Sequence, residues 1–310
     1  MNNNLLNIQH VSKFYANHTA LDDVSMSIKK ERIFGLLGPN GAGKTSLIRI
    51  INQITGADKG TITFNGELLQ LKHVVRIGYL PEERGLYKKM KVGEQLIYLS
   101  RLKGLTRADV RKRLKYWFEK FEITSWWNKN VEDLSKGMQQ KVQFIATILH
   151  EPELIILDEP FSGFDPINTN LIKQEILNLR AQGSTIIFST HRMDSVEELC
   201  DDIVLINKSK KVLDGEKAAI KEKYKSNTFI VATEREIVNL PEGFTIKDSA
   251  KASHNYIDNT IQILNGKSAN DLLQAVIEQG HRIHSLQEQI PSMNDIFISI
   301  VGKAEADVGA

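Results

Sequence analysis

Ile33-Phe34-Gly35-Leu36-Leu37, followed at once by Gly38-Pro39-Asn40-Gly41-Ala42-Gly43-Lys44-Thr45, is the stretch on which the reading of this chain turns. The apolar run is strand-sized and suits a strand covered on both faces. After the glycines, Leu47, Ile48 and Ile51 recur at helical spacing. A strand, a glycine-rich turn and a helix in that order make a cradle for phosphate. The glycines let the backbone curl so that successive N–H groups face an anion, and the helix turns its positive end towards the same charge. In this pattern Lys44 holds the β and γ phosphates, and the Thr45 hydroxyl takes one position on Mg²⁺. A glycine-rich turn that binds nothing is the plain alternative. With glycine near 7% of residues, four fixed positions coincide by accident in roughly one chain in a hundred.

The pattern alone indicates a nucleotide and no more, since kinases, GTPases and motors share it. A second segment narrows the chemistry. Leu154-Ile155-Ile156-Leu157-Asp158-Glu159 reads as a buried strand ending in two carboxylates. Asp158 at the strand end can reach a metal, directly or through water, and Glu159 can orient or deprotonate the water that attacks the γ phosphorus. An acidic turn before Pro160 is the bland reading, and it loses weight beside the glycine loop. Upstream, Leu134-Ser135-Lys136-Gly137-Met138-Gln139-Gln140 opens a helix in which Val142, Ile145, Ala146 and Leu149 share one side. A serine hydroxyl, a glycine amide and a helix N-terminus together form an anion site. Taken alone, Ser135 is a plain helix N-cap.

Length and charge bound the rest. With 310 residues, two domains are expected. Lys plus Arg is 40 against 38 Asp plus Glu, a net charge of +2, which lacks the basic excess of a dedicated nucleic-acid binder. No nucleic acid is expected as a partner. The one cysteine, Cys200, excludes an internal disulfide, fits a reducing cytosol and reads as a buried structural residue. Met1 to Leu6 carries neither a basic segment nor an apolar stretch, so no secretory signal is expected. Apolar runs such as Leu154 to Leu157 and Ile203 to Ile206 fall far below the roughly 20 residues that span a bilayer. Membrane work would have to be done through a partner chain.

Up to Asn65 the chain reads as strands: Asn7 to Phe14, Val24 to Ile28, Ile33 to Leu37, and Thr61 to Phe64 closed by an Asn65-Gly66 turn. After Leu86 the period becomes helical, with Val92, Leu96 and Leu99 on one helix and Val110, Leu114, Trp117, Phe118 and Phe121 on the next. Arg101, Lys103, Arg107, Arg111, Lys112, Arg113 and Lys115 fall on the outer faces. Such a basic face is ordinarily solvated surface, with contact to phosphate or a membrane partner as the alternative. Beyond Met138, short apolar strands alternate with helices up to Ile206, which is parallel-sheet grammar. A change of pattern near Tyr224 introduces strands at Phe229 to Thr233, Phe244 to Lys247, Thr260 to Leu264 and His281 to Leu286, with helices at Ala269 to Glu278 and from Ser292.

With the glycine loop and Asp158-Glu159 in place, Leu134 to Gln140 resembles the signature segment of ABC ATPases, and the resemblance extends through most of Asn7 to Gly215. It implies an α/β P-loop NTPase fold, an ABC ATPase cassette over 1–224 with an antiparallel β subdomain and a helical subdomain at about 88–150. A small α+β accessory domain over 225–310 follows. The resemblance further implies ATP and Mg²⁺ as ligands. Gly38, Asn40, Gly41, Gly43, Lys44, Thr45 and Ser46 would contact the phosphates, Tyr15 would stack on adenine, and Ser135 and Gly137 would close over the triphosphate of a second subunit. Thr45, Asp158 and Glu82 would face the metal. Glu159 would act as catalytic base, His191 would be the switch histidine that contacts the γ phosphate, and Phe161-Ser162-Gly163-Phe164-Asp165 would join the two subunits. Three departures stand out: Lys136 and Met138 replace the commoner Gly and Gln of the signature, Phe164 replaces Leu, and Glu82 stands where most relatives carry a glutamine. A carboxylate there can bind Mg²⁺ more strongly than an amide oxygen while adding negative charge near ATP.

One P-loop and one signature in the chain imply a homodimer, or pairing with a similar ATPase subunit. The expected partner is an integral membrane permease, which places the chain in the cytoplasm, peripheral on the inner face of the membrane. The segment Glu82 to Tyr87 and the C-terminal Ser292 to Phe297 are similar to ATPase subunits of type-two exporters, the sodium-extrusion and drug-resistance group. Two rivals are weaker. A soluble ABC protein acting on translation or DNA carries two cassettes or a coiled-coil insertion, and a non-hydrolysing scaffold would lack Glu159 or Lys44.

Overall fold

The computed structural model describes residues 3–83, 85–251, 256–264 and 266–306. They divide into two compact units, Met1–Lys217 and Ala218–Ala310.

In the first unit, β1 (Asn4–Tyr15) and β2 (His18–Lys29) form a long hairpin, followed by β3 (Ile33–Leu37) and α1 (Lys44–Ile51). β4 (Lys59–Phe64) and β5 (Glu67–Leu68) meet across Asn65 and Gly66, both at positive φ, as the two-residue turn requires. Next come β6 (Ile77–Leu80), the helices α2 (Val92–Leu102), α3 (Arg107–Lys120) and α4 (Lys136–Ile148), and β7 (Leu154–Asp158). The unit is completed by α5 (Pro166–Ala181), β8 (Thr185–Ser189), α6 (Met193–Leu199), β9 (Asp202–Asn207) and β10 (Lys210–Glu216). One sheet is antiparallel, in the order β2-β1-β4-β5; the other runs β10-β9-β3-β8-β7-β6. From β9 to β6 all neighbours in the second sheet are parallel, and β10 closes its edge antiparallel.

The continuous apolar runs β3, β7 and β8 are buried at every residue, as parallel strands covered on both faces must be. Their side chains join those of β1, β2, β4 and α1 in one core that includes Leu6, Ile28, Phe64, Leu47 and Ile156. Cys200 is buried in this unit, and burial pushes its thiol up to about 12, an inert sulfur.

Two of the basic side chains that the helical period puts on an outer face are not simply solvated. Lys103 donates to the carbonyls of Val74 and Ile77, each at 2.8 Å. Arg113 donates to the Leu149 carbonyl at 2.8 Å and pairs with Glu151. Both satisfy carbonyls or carboxylates at element ends, where the backbone lacks partners of its own.

The second unit follows α7 (Lys217–Lys223) with β11 (Thr228–Thr233), β12 (Phe244–Lys251), β13 (Ile257–Ile263), α8 (Ala269–Glu278), β14 (Ile283–Glu288) and α9 (Met293–Ala306). Its sheet is antiparallel, β12-β13-β11-β14, and its own core gathers Val231, Ile237, Ile261, Ile263, Leu272 and Val276. Within it Asn259 is fully buried and satisfied. Its amide oxygen accepts from Ile237 N and Ser249 Oγ, and its amide nitrogen donates to Val231 O, Thr233 Oγ1 and Ile257 O.

Candidate nucleotide site

Register explains why the sequence-predicted residues meet. Leu36 of β3 pairs with Ser189 of β8, Ser189 with Asp158 of β7, and Leu157 with Leu80 of β6. The carboxyl ends of four parallel strands are therefore flush, and the segments that leave them share one edge, where ligands of open α/β sheets bind. β3 delivers the glycine loop, β8 delivers Thr190 and His191, β7 delivers Asp158 and Glu159, and β6 delivers Glu82. Of these, the glycine loop, His191, Asp158, Glu159 and Glu82 surround a cavity of about 230 Å³ whose lining also includes Tyr15, His18, Thr45 and Ser46. Arg84 lies outside the described residues.

The loop geometry depends on its glycines. Gly38 and Gly43 sit at φ 147° and 114°. A β carbon would fall 2.1 Å from the Ile206 carbonyl oxygen at Gly38 and 2.2 Å from that of Ala20 at Gly43. Close approach and handedness both exclude a side chain. Lys44 is buried and donates from Nζ to Gly38 O at 2.7 Å and Pro39 O at 3.0 Å, which folds the loop over the ammonium.

Burial pushes the Lys44 ammonium below its ordinary pKa, although Asp158, Glu159 and Glu82 pull it up. Burial likewise pushes the Asp158 carboxyl up; Glu82 and Glu159 add to this, and the Ser189 hydroxyl and Lys44 oppose it. For both groups the loss of hydration outweighs the mutual attraction. Three carboxylates face one lysine here, but among the described residues no three acidic, histidine or cysteine side chains are grouped so as to hold a metal ion. A hydrated divalent cation would therefore rest on one or two of these carboxylates, the Thr45 hydroxyl and oxygens of water or nucleotide.

Glu159 adopts a left-handed backbone, φ 47°, and its side chain is only 14% exposed. Its Oε2 accepts from Thr190 Oγ1 at 3.0 Å, and its Oε1 accepts from His191 N at 2.9 Å and lies 2.7 Å from His191 Nδ1. The His191 ring is 69% exposed. Thr190 and His18 were not singled out by the sequence. His18 could have been, because it pairs with Tyr15 across the tip of the β1–β2 hairpin. Thr190 has no local signal; only the parallel register of β7 and β8 brings it to Glu159.

Ser135 and Gly137 do not line this cavity. Ser135 is exposed and caps α4, accepting from Met138 N at 3.3 Å. Gly137 lies against the 161–165 loop, where an added β carbon would sit 3.2 Å from Gly163 O. Asp165 ends that loop as the N-cap of α5, accepting from Asn168 N, and these hydrogen bonds hold its carboxyl below the usual range. Two glutamines of α4 tie the helix to the cavity walls: Gln140 donates to Pro160 O at 3.3 Å, and Gln143 to Pro81 O at 3.4 Å and Glu83 O at 3.5 Å.

A phosphate loop, a strand-end carboxylate pair and a switch-type histidine on one parallel sheet define a P-loop ATPase cassette. Residues 21–162 match the family model described as ABC transporter, and residues 215–301 match that of the ATP-binding protein DrrA1-3-like C-terminal domain. An uncharacterized ABC transporter ATP-binding protein, YhaQ of Bacillus subtilis (strain 168), is 40% identical over 96% of this chain and 99% of its own length. The linearmycin resistance ATP-binding protein LnrL of the same organism is 30% identical over 98% of this chain and 100% of its own. Among solved structures, an ATP-binding subunit of an ABC transporter superposes with a TM-score of 0.67 at 29% identity, covering 71% of this chain and 93% of that one. The chain belongs to the ABC transporter ATP-binding proteins. It is the ATP-binding and ATP-hydrolysing subunit of such a transporter, a class of subunit that pairs with membrane permeases. Among the described residues no helix is long and apolar enough to cross a membrane.

Proposed function

We propose that two ATP molecules are held at the seam of a head-to-tail dimer, each between the glycine loop of one subunit and the Ser135 end of α4 of its mate, and that closing this seam drives an exporter. The partner is a second copy or a similar ATPase subunit. The observation that carries the reading is a division of labour within one chain: Lys44, Asp158, Glu159 and Glu82 line one cavity, while Ser135 and Gly137 lie outside it. An anion-binding helix end that serves no site of its own chain suits the site of another.

In this scheme Lys44, with two of its three N–H donors on loop carbonyls, turns the third to the β and γ phosphates. Backbone N–H groups of Asn40 to Ser46 cradle the same oxygens, and Tyr15 stacks on adenine. Thr45, Asp158 and Glu82 are the residues that would hold Mg²⁺, which supplies neutralisation of the phosphate charge when bound. Glu159 takes the proton of the attacking water as its oxygen bonds to the γ phosphorus and the bond to ADP breaks. Thr190 and His191 hold that carboxylate in place, and the free Nε2 of His191 reaches the γ phosphate. Glu82 couples occupancy to the loop Glu82 to Tyr87, through which motion passes to the permease. The chain then works in the cytoplasm, on the inner face of the membrane. The DrrA-like C-terminal match and the resistance function in LnrL's name favour export.

The test is gel filtration of Glu159→Gln with ATP and Mg²⁺. A stable dimer that retains ATP is expected; monomers only would contradict the scheme. Glu82→Ala is expected to alter Mg²⁺ dependence and turnover, and unchanged values would remove Glu82 from the account.

A further inference from the structure

We infer that the groove between α2 and α3 is a binding site for the phosphoryl group of an anionic phospholipid, held by Arg101, Arg107 and Arg111 over an apolar floor. The three arginines line a cavity of about 520 Å³ together with Ile97, Tyr98 and Leu102, and Glu94 is the one acid on its wall. All three are exposed, and among the described residues none makes an ion pair, although Arg113 and Lys103 close by are both committed to carbonyls.

The arrangement runs against the stability of the helix that carries it. Arg107 opens α3, where the helix dipole disfavours a cation, and Arg107 and Arg111 are like charges one turn apart on one face. A helix surface optimised for stability would place acids in that first turn, as Asp109 does. A bound anion removes both penalties. Arginine's planar fork suits a phosphate diester better than a lysine would.

The floor selects the source of the phosphate. Tyr98 is 43% and Leu102 62% exposed, so an aromatic ring and an aliphatic side chain lie open in the same groove as the three arginines. Inorganic phosphate has nothing to place there, whereas a lipid brings glycerol and upper acyl carbons to cover them. The groove shares no residue with the nucleotide cavity, so this inference and the proposed ATP chemistry fail separately.

The test is co-sedimentation of the full-length chain with vesicles of phosphatidylcholine alone or with phosphatidylglycerol, comparing wild type with R101Q/R107Q/R111Q. Each arginine near an anionic surface contributes about fivefold, so the triple variant should lose about a hundredfold in partition to anionic vesicles while its basal ATPase rate is unchanged. K29Q/K59Q/K210Q removes the same charge elsewhere and should still bind. Equal loss in both triple variants would reduce the effect to net charge and overturn the proposal. So would equal binding of wild type to the two vesicle types, or full competition by millimolar inorganic phosphate, which would make the groove a free-phosphate site. Circular dichroism melts of the triple variant, expected at or above wild-type stability, exclude misfolding as the cause.

Discussion

The two ends of the proposed ATP sandwich are built in opposite ways. At the β3–β8–β7–β6 edge the charged groups are largely withdrawn from solvent and cross-linked by hydrogen bonds, Lys44 to its loop carbonyls and Glu159 to Thr190 and His191, and burial pushes the Lys44 ammonium down and the Asp158 carboxyl up. At the tip of α4 the chemistry is exposed, with Ser135 held by one long bond to Met138 N. The first is preorganised and costs folding energy through desolvated charge. The second costs almost nothing until something binds it. A site shared between chains needs this asymmetry, because only the half that performs chemistry must be fixed in advance.

The largest expected effect comes from the buried side. Glu159→Gln should lower turnover by about 10²- to 10⁴-fold with ATP binding intact, as measured by steady-state hydrolysis and nucleotide retention. Gly43→Ala forces a left-handed alanine into the Ala20 carbonyl and should cost about 3 kcal/mol in urea unfolding; a cost under 1 kcal/mol would mean the loop is not rigid. On the exposed side, Ser135→Ala should reduce hydrolysis by about 10- to 100-fold through loss of one charge-assisted bond, while lowering folding stability by only about 1 kcal/mol as a lost helix cap. If stability fell and turnover did not, Ser135 would be a cap and nothing else.

The smallest effect tests the cost of preorganisation. Burial raises the folded-state pKa of Asp158 above its unfolded value, so its contribution to stability is fully present below the unfolded value and is lost as pH rises through the folded one. Asp158→Asn should therefore stabilise the nucleotide-free chain at pH 8, by roughly 2–4 °C in Tm, with the gain shrinking as pH falls toward the ordinary carboxylate range. A drop in Tm at pH 8 would show that Asp158 is needed by the empty fold.

The same contrast separates what was legible in the sequence. β3 and α8 run over the residues the pattern marked, because a run of five apolar residues and a Ser268–Asp271 capping box are local signals. β12 extends past Lys247 to Lys251, since its polar end has no apolar alternation and is defined only by pairing with β13. The glycine loop and Asp158-Glu159 are contiguous motifs. Thr190, Gln140 and Gln143 enter through strand register and helix packing, which no single segment encodes, and Lys103 and Arg113 find carbonyls that only the tertiary fold presents.

The central claim is tested most directly by a crystal structure of Glu159→Gln with ATP and Mg²⁺. The account predicts two chains head to tail, with Ser135 Oγ of one about 3 Å from a γ-phosphate oxygen of the ATP held by the other's Lys44. A closed, nucleotide-loaded pair in which Ser135 lies far from every phosphate would contradict it.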